Sequence, residues 1–196
     1  MRSIQIKHDV IRTHYILKNA FAFLLKDDSN FVSPINHTEE RTWEYMMKLL
    51  TNFKNVHGKA IKNLCKEISL IDKQNIARGL ITTANNLFLD EITWSRILAF
   101  FVFTAELVNI CMSKKISVDI IYVTFSNYFK IYLEDWIKER NGWQGIRNGN
   151  WNEENFLVTL KKTNLNLSFI VSWMHTAIKI IGTLASIGNV LNNNIY

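Results

Sequence analysis

Ile97-Leu98-Ala99-Phe100-Phe101-Val102-Phe103-Thr104-Ala105-Glu106-Leu107-Val108-Asn109-Ile110-Cys111-Met112 decides the fold, because Glu106 is its only formally charged residue. The run is longer than an ordinary strand and has no polar face, which is the pattern of a helix buried in the middle of a bundle. Lys114 and Lys115 end it, where the negative end of a helix dipole favours positive charge. A partner helix is expected from about Ser117 to Leu133, so the two make a central apolar hairpin.

Outward from this hairpin the chain reads as amphipathic helices. Ile4 to Lys26 is expected to form the first, with Val10, Ile11, Tyr15, Ile16, Phe21, Leu24 and Leu25 on one side. Asp27-Asp28-Ser29-Asn30 stops it, and Thr38, followed by Glu39 and Glu40, marks the next start. That second stretch runs to about Val56, and a shorter one continues past Gly58 through Ala60, Ile61, Leu64 and Ile68. Asp72 can cap a further helix carrying Ile76, Leu80, Thr83, Leu87 and Phe88. With one proline and seven glycines in 196 residues there is little turn material for a many-stranded fold, and the expectation is all-α.

The 48% hydrophobic and 20% charged fractions fit neither a disordered tail nor a polytopic membrane protein. A net charge of +6 reads first as ordinary solvated faces and second as help in meeting anionic lipid or an acidic peptide, and the lysines form no dense stripe of the kind that binds nucleic acid. Cys65 and Cys111 sit in apolar stretches and read as core thiols of a reducing compartment. His8, His14, His37, His57 and His175 share no metal-ligand spacing, and no nucleophile–base pair or phosphate loop occurs. The chain is therefore read as a non-enzyme without metal or cofactor. The N-terminus has no charged-then-apolar run before a small-residue cleavage site, so no secretory signal is expected.

Two segments carry a family resemblance. Leu87-Phe88-Leu89-Asp90-Glu91-Ile92-Thr93-Trp94-Ser95-Arg96-Ile97-Leu98-Ala99-Phe100-Phe101 resembles the first homology motif of the Bcl-2 family, L-F-x-D-G-(hydrophobic)-N-W-G-R-I-V-A-F-F. Glu91, Thr93 and Ser95 replace two glycines and an asparagine; Thr93 can still cap the following helix and Ser95 is still small. Trp136-Ile137-Lys138-Glu139-Arg140-Asn141-Gly142-Trp143-Gln144-Gly145-Ile146 resembles the second motif, with Asn141 for a glycine. Asparagine also tolerates positive φ. The resemblance covers roughly residues 46 to 146 and implies a Bcl-2-like helical bundle, a regulator of apoptosis.

It further implies helix-in-groove recognition of the amphipathic death (BH-three) helix of pro-apoptotic partners. Arg96 would pair with the invariant aspartate of that helix through a bidentate fork. Phe53, His57, Ala60, Ile61, Leu64, Leu87, Leu98, Ala99 and Phe103 would shape the apolar pockets, and Thr93 would cap the helix that carries Arg96. On residues alone, Arg96 reads first as a structural pair with Asp90 or Glu91, an order that the motif reverses. Trp94, Trp136 and Trp143 read as packing residues, and His57 as surface or core.

Where the family's own death-helix segment carries a small residue and an aspartate, this chain has Leu50-Thr51. The missing carboxylate points to a pro-survival member rather than a pore-forming, pro-apoptotic one. A membrane-shaping scaffold without a death-helix ligand is the third reading. The expected organisation is a helical domain over residues 1–162 and a hydrophobic tail over 163–196. Lys161 and Lys162 precede Leu165 to Leu191, a stretch long enough for a membrane anchor, although Lys179 in mid-span costs about 2.5–3.5 kcal/mol. The resemblance implies the mitochondrial outer membrane or the endoplasmic reticulum membrane, with the domain facing the cytosol.

Overall fold

The computed structural model describes residues 2–34, 36–66 and 73–148, with side chains from residue 13 onward except those of Leu64, Lys73 and Asn148. Its organising element is the apolar run of the sequence, α4 (Trp94–Ser113), in which every side chain from Ile97 to Val108 is buried. Thr93 caps its start, the hydroxyl accepting from the Arg96 N–H at 3.3 Å. Its end is a Schellman turn: the Ile116 N–H donates to the Cys111 carbonyl at 2.8 Å, with Lys115 in the left-handed region at φ 58°. Lysine there bears the Cβ crowding that glycine avoids.

Three helices surround α4. The first, α1 (Arg2–Leu25), buries Tyr15, Ile16, Ala20, Phe21 and Leu24 and ends in the same kind of turn, with Lys26 at φ 58°. Its buried Asn19 holds the following loop, donating to the Val32 carbonyl at 3.0 Å and accepting from the Val32 N–H at 2.8 Å. The second, α2 (His37–Lys66), is one helix. This corrects the expected interruption near Gly58, and it begins one residue earlier than expected, with the Asn36 side chain accepting from the Glu39 N–H. Gly58 costs about 1 kcal/mol relative to alanine in mid-helix. The stripe Met46, Leu50, Phe53, Ile61 and Cys65 lies on both sides of it, and each fully buried large side chain is worth about 1.5–3 kcal/mol. Burial therefore carries the helix across the glycine. The third is α3 (Lys73–Leu87), with Ile76, Leu80, Thr83, Ala84 and Leu87 inward. Ile68 and Asp72 lie outside the described residues.

The hairpin partner is α5 (Asp119–Tyr128), continued by a π turn (Phe129–Leu133) and α6 (Glu134–Glu139), so the helical path outruns the expected end at Leu133. The extra residue of the π turn lets Phe129 and Leu133 both face inward while Ile131 and Tyr132 face solvent. Phe125 joins the layers, its ring 4.7 Å from Phe100 and 4.8 Å from Phe21. Asn141 and Gly142 then turn the chain at φ 65° and 63° before α7 (Gly145–Asn148). A Cβ on Gly145 would lie 1.8 Å from the Arg140 carbonyl oxygen, so glycine is required there. Trp143 stacks on Phe129 at 5.7 Å and donates to the Thr13 hydroxyl at 3.3 Å, tying this turn to α1. Among the described residues there are no strands.

Candidate functional site: the α2–α3 walls over α4

Both α2 and α3 pack on α4 and make little contact with each other. Two helices over a shared neighbour are the arrangement in which a helix-binding groove could form, although α3 packs more closely on α5 than on α4. Most of the residues expected to shape its pockets belong to the buried core of the bundle. Phe53, Ile61, Leu98 and Phe103 are 0–1% exposed, and Leu87 and Ala99 are also buried. The His57 ring lies 4.8 Å from that of Phe53, and the Cys65 thiol is 3.7 Å from the Phe103 carbonyl. Ala60 is half-buried. The Leu64 side chain and the tail from residue 163 lie outside the described residues.

Arg96, on the first turn of α4, is held by the turn that precedes the helix. Its guanidinium donates to the Glu91 carbonyl at 2.9 Å and lies 3.7 Å from the Asp90 carboxylate and 4.0 Å from that of Glu91. Those carboxylates are 57% and 65% exposed, against 15% for the arginine side chain. The internal pairing left open by the sequence is thus the one formed in this structure, and it is loose. The tryptophans behave as packing residues: Trp94 lies between Trp136 at 5.1 Å and Trp143 at 5.8 Å.

Among the described residues, His57 Nε2 on α2 and Thr83 Oγ1 on α3 are buried with no hydrogen-bond partner. Burial lowers the His57 pKa below the usual imidazole value, which favours the neutral ring. Thr42, Thr51 and Thr104 each donate to the carbonyl four residues back. Thr83 makes no such bond, a feature that sequence reasoning missed because a threonine on an apolar stripe looks like a self-satisfied one. Also missed was the partner of Glu106, which is Lys54 Nζ at 3.7 Å; the same ammonium donates to the Leu24 carbonyl at 3.2 Å. A lone charge in an apolar helix signals that a partner exists, but not which helix supplies it. Burial raises the thiol pKa values of Cys65 and Cys111, consistent with inert core cysteines. Among the described residues no group of three histidines, cysteines or acids could hold a metal.

The family described as "Apoptosis regulator proteins, Bcl-2 family" matches residues 46–143, half of the chain, and this span contains α4, the whole first motif and the second as far as Trp143. The chain belongs to the Bcl-2 family. Apoptosis regulator Bcl-2 from Canis lupus familiaris and from Cricetulus griseus are each 28% identical over 123 residues, 61% of this chain and 47% of theirs. The match thus spans about half the length of these curated relatives. Among solved structures, Trichoplax adhaerens trBcl-2L2 bound to trBak BH3 superposes with a TM-score of 0.56 at 18% identity, covering 68% of this chain and 95% of that one. Chicken BOK superposes at 0.59 with 16% identity, covering 72% and 95%. At these identities the likeness establishes the Bcl-2 fold.

Proposed function

We propose that this Bcl-2 family member regulates apoptosis on the pro-survival side, holding the death helix of pro-apoptotic partners between α2 and α3 over α4. The observation that carries the reading is the pair of walls sharing one floor, with Arg96 on the first turn of the floor helix. The relative solved with trBak BH3 lends support, since that protein has this fold and such a ligand. Because the apolar wall residues are buried, a partner helix reaches them only when the bundle opens locally, and ligand binding then selects the opened state. An incoming aspartate takes over Arg96 from the exposed Asp90 and Glu91, at small cost because those pairs are long.

The pro-survival side is favoured by the chain's own segment at Leu50-Thr51. Leu50 is fully buried, and the Thr51 hydroxyl is spent on the Met47 carbonyl at 2.8 Å, so this stretch offers no carboxylate to another groove. A pore-forming, pro-apoptotic member is the second reading. It is favoured by α4 itself, a 20-residue helix long and apolar enough to cross a membrane, though mostly buried in the bundle. The tail over 163–196 is proposed as an anchor in the mitochondrial outer membrane or that of the endoplasmic reticulum.

Titration of the full-length chain with labelled death-helix peptides tests the assignment. Submicromolar binding to several peptides is expected. No binding by a cooperatively folded chain sinks it, and release of vesicle contents by the chain alone would favour the second reading.

A further inference from the structure

On the other side of α2, away from its core-facing stripe, lies an open hollow of about 920 Å³ between the end of α1, the loop after it, α2 and Glu106 of α4. Four lysines line it, Lys26, Lys54, Lys59 and Lys62, against two carboxylates, Asp28 and Glu106. Glu106 is taken by Lys54. Lys26, Lys59 and Lys62 are exposed and form no ion pair among the described residues, so three uncompensated ammonium groups converge on one concavity, with only Asp28 opposing them.

The hollow is also shaped by features with a cost. Gly58 lines it, and a Cβ there would sit 3.2 Å from Lys54 Cγ, crowding the stem of the side chain that reaches Leu24 and Glu106. The mid-helix glycine thus has a local role, leaving room for Lys54 to lie across the floor. Lys26 reaches the rim from a left-handed residue. Beside the lysines stand Phe23 and Phe31, the latter 40% exposed. Its volume falls within the range of about 300–1,000 Å³ found for small-molecule sites. A docked helix would instead need a long apolar trough.

We infer that this hollow binds the phosphate-bearing headgroup of an anionic phospholipid, the lysines taking the phosphates and Phe23 and Phe31 the glycerol and first acyl carbons. Lysine suits this role as a mobile point charge for phosphate. The apolar side would be idle for a free phosphate compound, and it separates the two sources. The site is independent of the groove between α2 and α3.

The test is calorimetric titration of the full-length chain, kept in mild non-ionic detergent, with inositol trisphosphate and with a dioctanoyl phosphatidylinositol bisphosphate. Saturable binding is expected to both, about fivefold or more tighter for the dioctanoyl lipid. Lys59→Gln/Lys62→Gln, both exposed, is expected to weaken each by about tenfold, while Lys114→Gln/Lys115→Gln, with the same net charge, leaves them unchanged. Phe31→Ser is expected to remove the advantage of the lipid over its headgroup. No saturable binding, or equal weakening by both lysine pairs, overturns the site. Equal affinity for lipid and headgroup overturns the lipid assignment, and saturation by an acidic peptide alone overturns the phosphate chemistry. Circular dichroism of each variant confirms that the fold is kept.

Discussion

The two halves of α4 each carry a charge partnered outside the helix, and they differ in what can replace the partner. At the N-terminal end Arg96 is nearly buried but leans on carboxylates that are more than half exposed, at 3.7 and 4.0 Å. In the C-terminal half Glu106 is 8% exposed and meets Lys54, which also holds the last turn of α1. Exposed pairs are worth little and exchange readily. A buried carboxylate that loses its partner keeps its desolvation cost. One end is therefore suited to receive a ligand's carboxylate, and the other to hold α1, α2 and α4 in register.

The sharpest way to break this contrast is to exchange the consequences. Arg96→Ala is expected to weaken death-helix binding by about 10–100-fold, the worth of hydrogen bonds to a charged group, while lowering stability by about 1 kcal/mol or less. A large loss of stability with unchanged peptide affinity would make Arg96 a structural residue. Glu106→Ala should do the reverse, lowering stability in chemical denaturation by about 1–2 kcal/mol, a value tempered by the partial exposure of Lys54. Peptide affinity should stay within about twofold, since no groove contact is lost.

Smaller changes sharpen the comparison. Asp90→Asn with Glu91→Gln frees Arg96 and is expected to tighten peptide binding by up to about fivefold, the worth of exposed ion pairs. Weaker binding would show that these carboxylates position the arginine instead of competing for it. Lys115→Gly relieves the left-handed strain at the far end and should raise stability by about 0.5–1 kcal/mol without touching affinity. Differential scanning calorimetry reads that gain directly.

Much of the fold was legible because it rests on local patterns. The apolar run at Ile97–Met112, the cap at Thr93 and the left-handed turn at Asn141 all follow from side-chain chemistry acting on nearby backbone. Gly58 misled for a reason: its intrinsic penalty is local, whereas the burial that outweighs it comes from α4, far along the chain. The π turn at Phe129–Leu133 was equally hidden, since one extra residue in a helix leaves no compositional mark. The exposure of the candidate groove residues was not legible in the sequence pattern, because it depends on how the helices pack.

By itself, then, the sequence determined an all-helical chain built around one apolar helix, the two motifs and the basic side chain at the start of that helix. Periodicity and capping are properties of a few adjacent residues, and they survive in the linear order. Only the tertiary structure decided that Lys54 finds Glu106, that His57 and Thr83 are buried with no partner among the described residues, and that Lys26, Lys59 and Lys62 share one hollow. Each of these depends on which helices meet and at what depth, and that is fixed by packing between residues far apart in the chain.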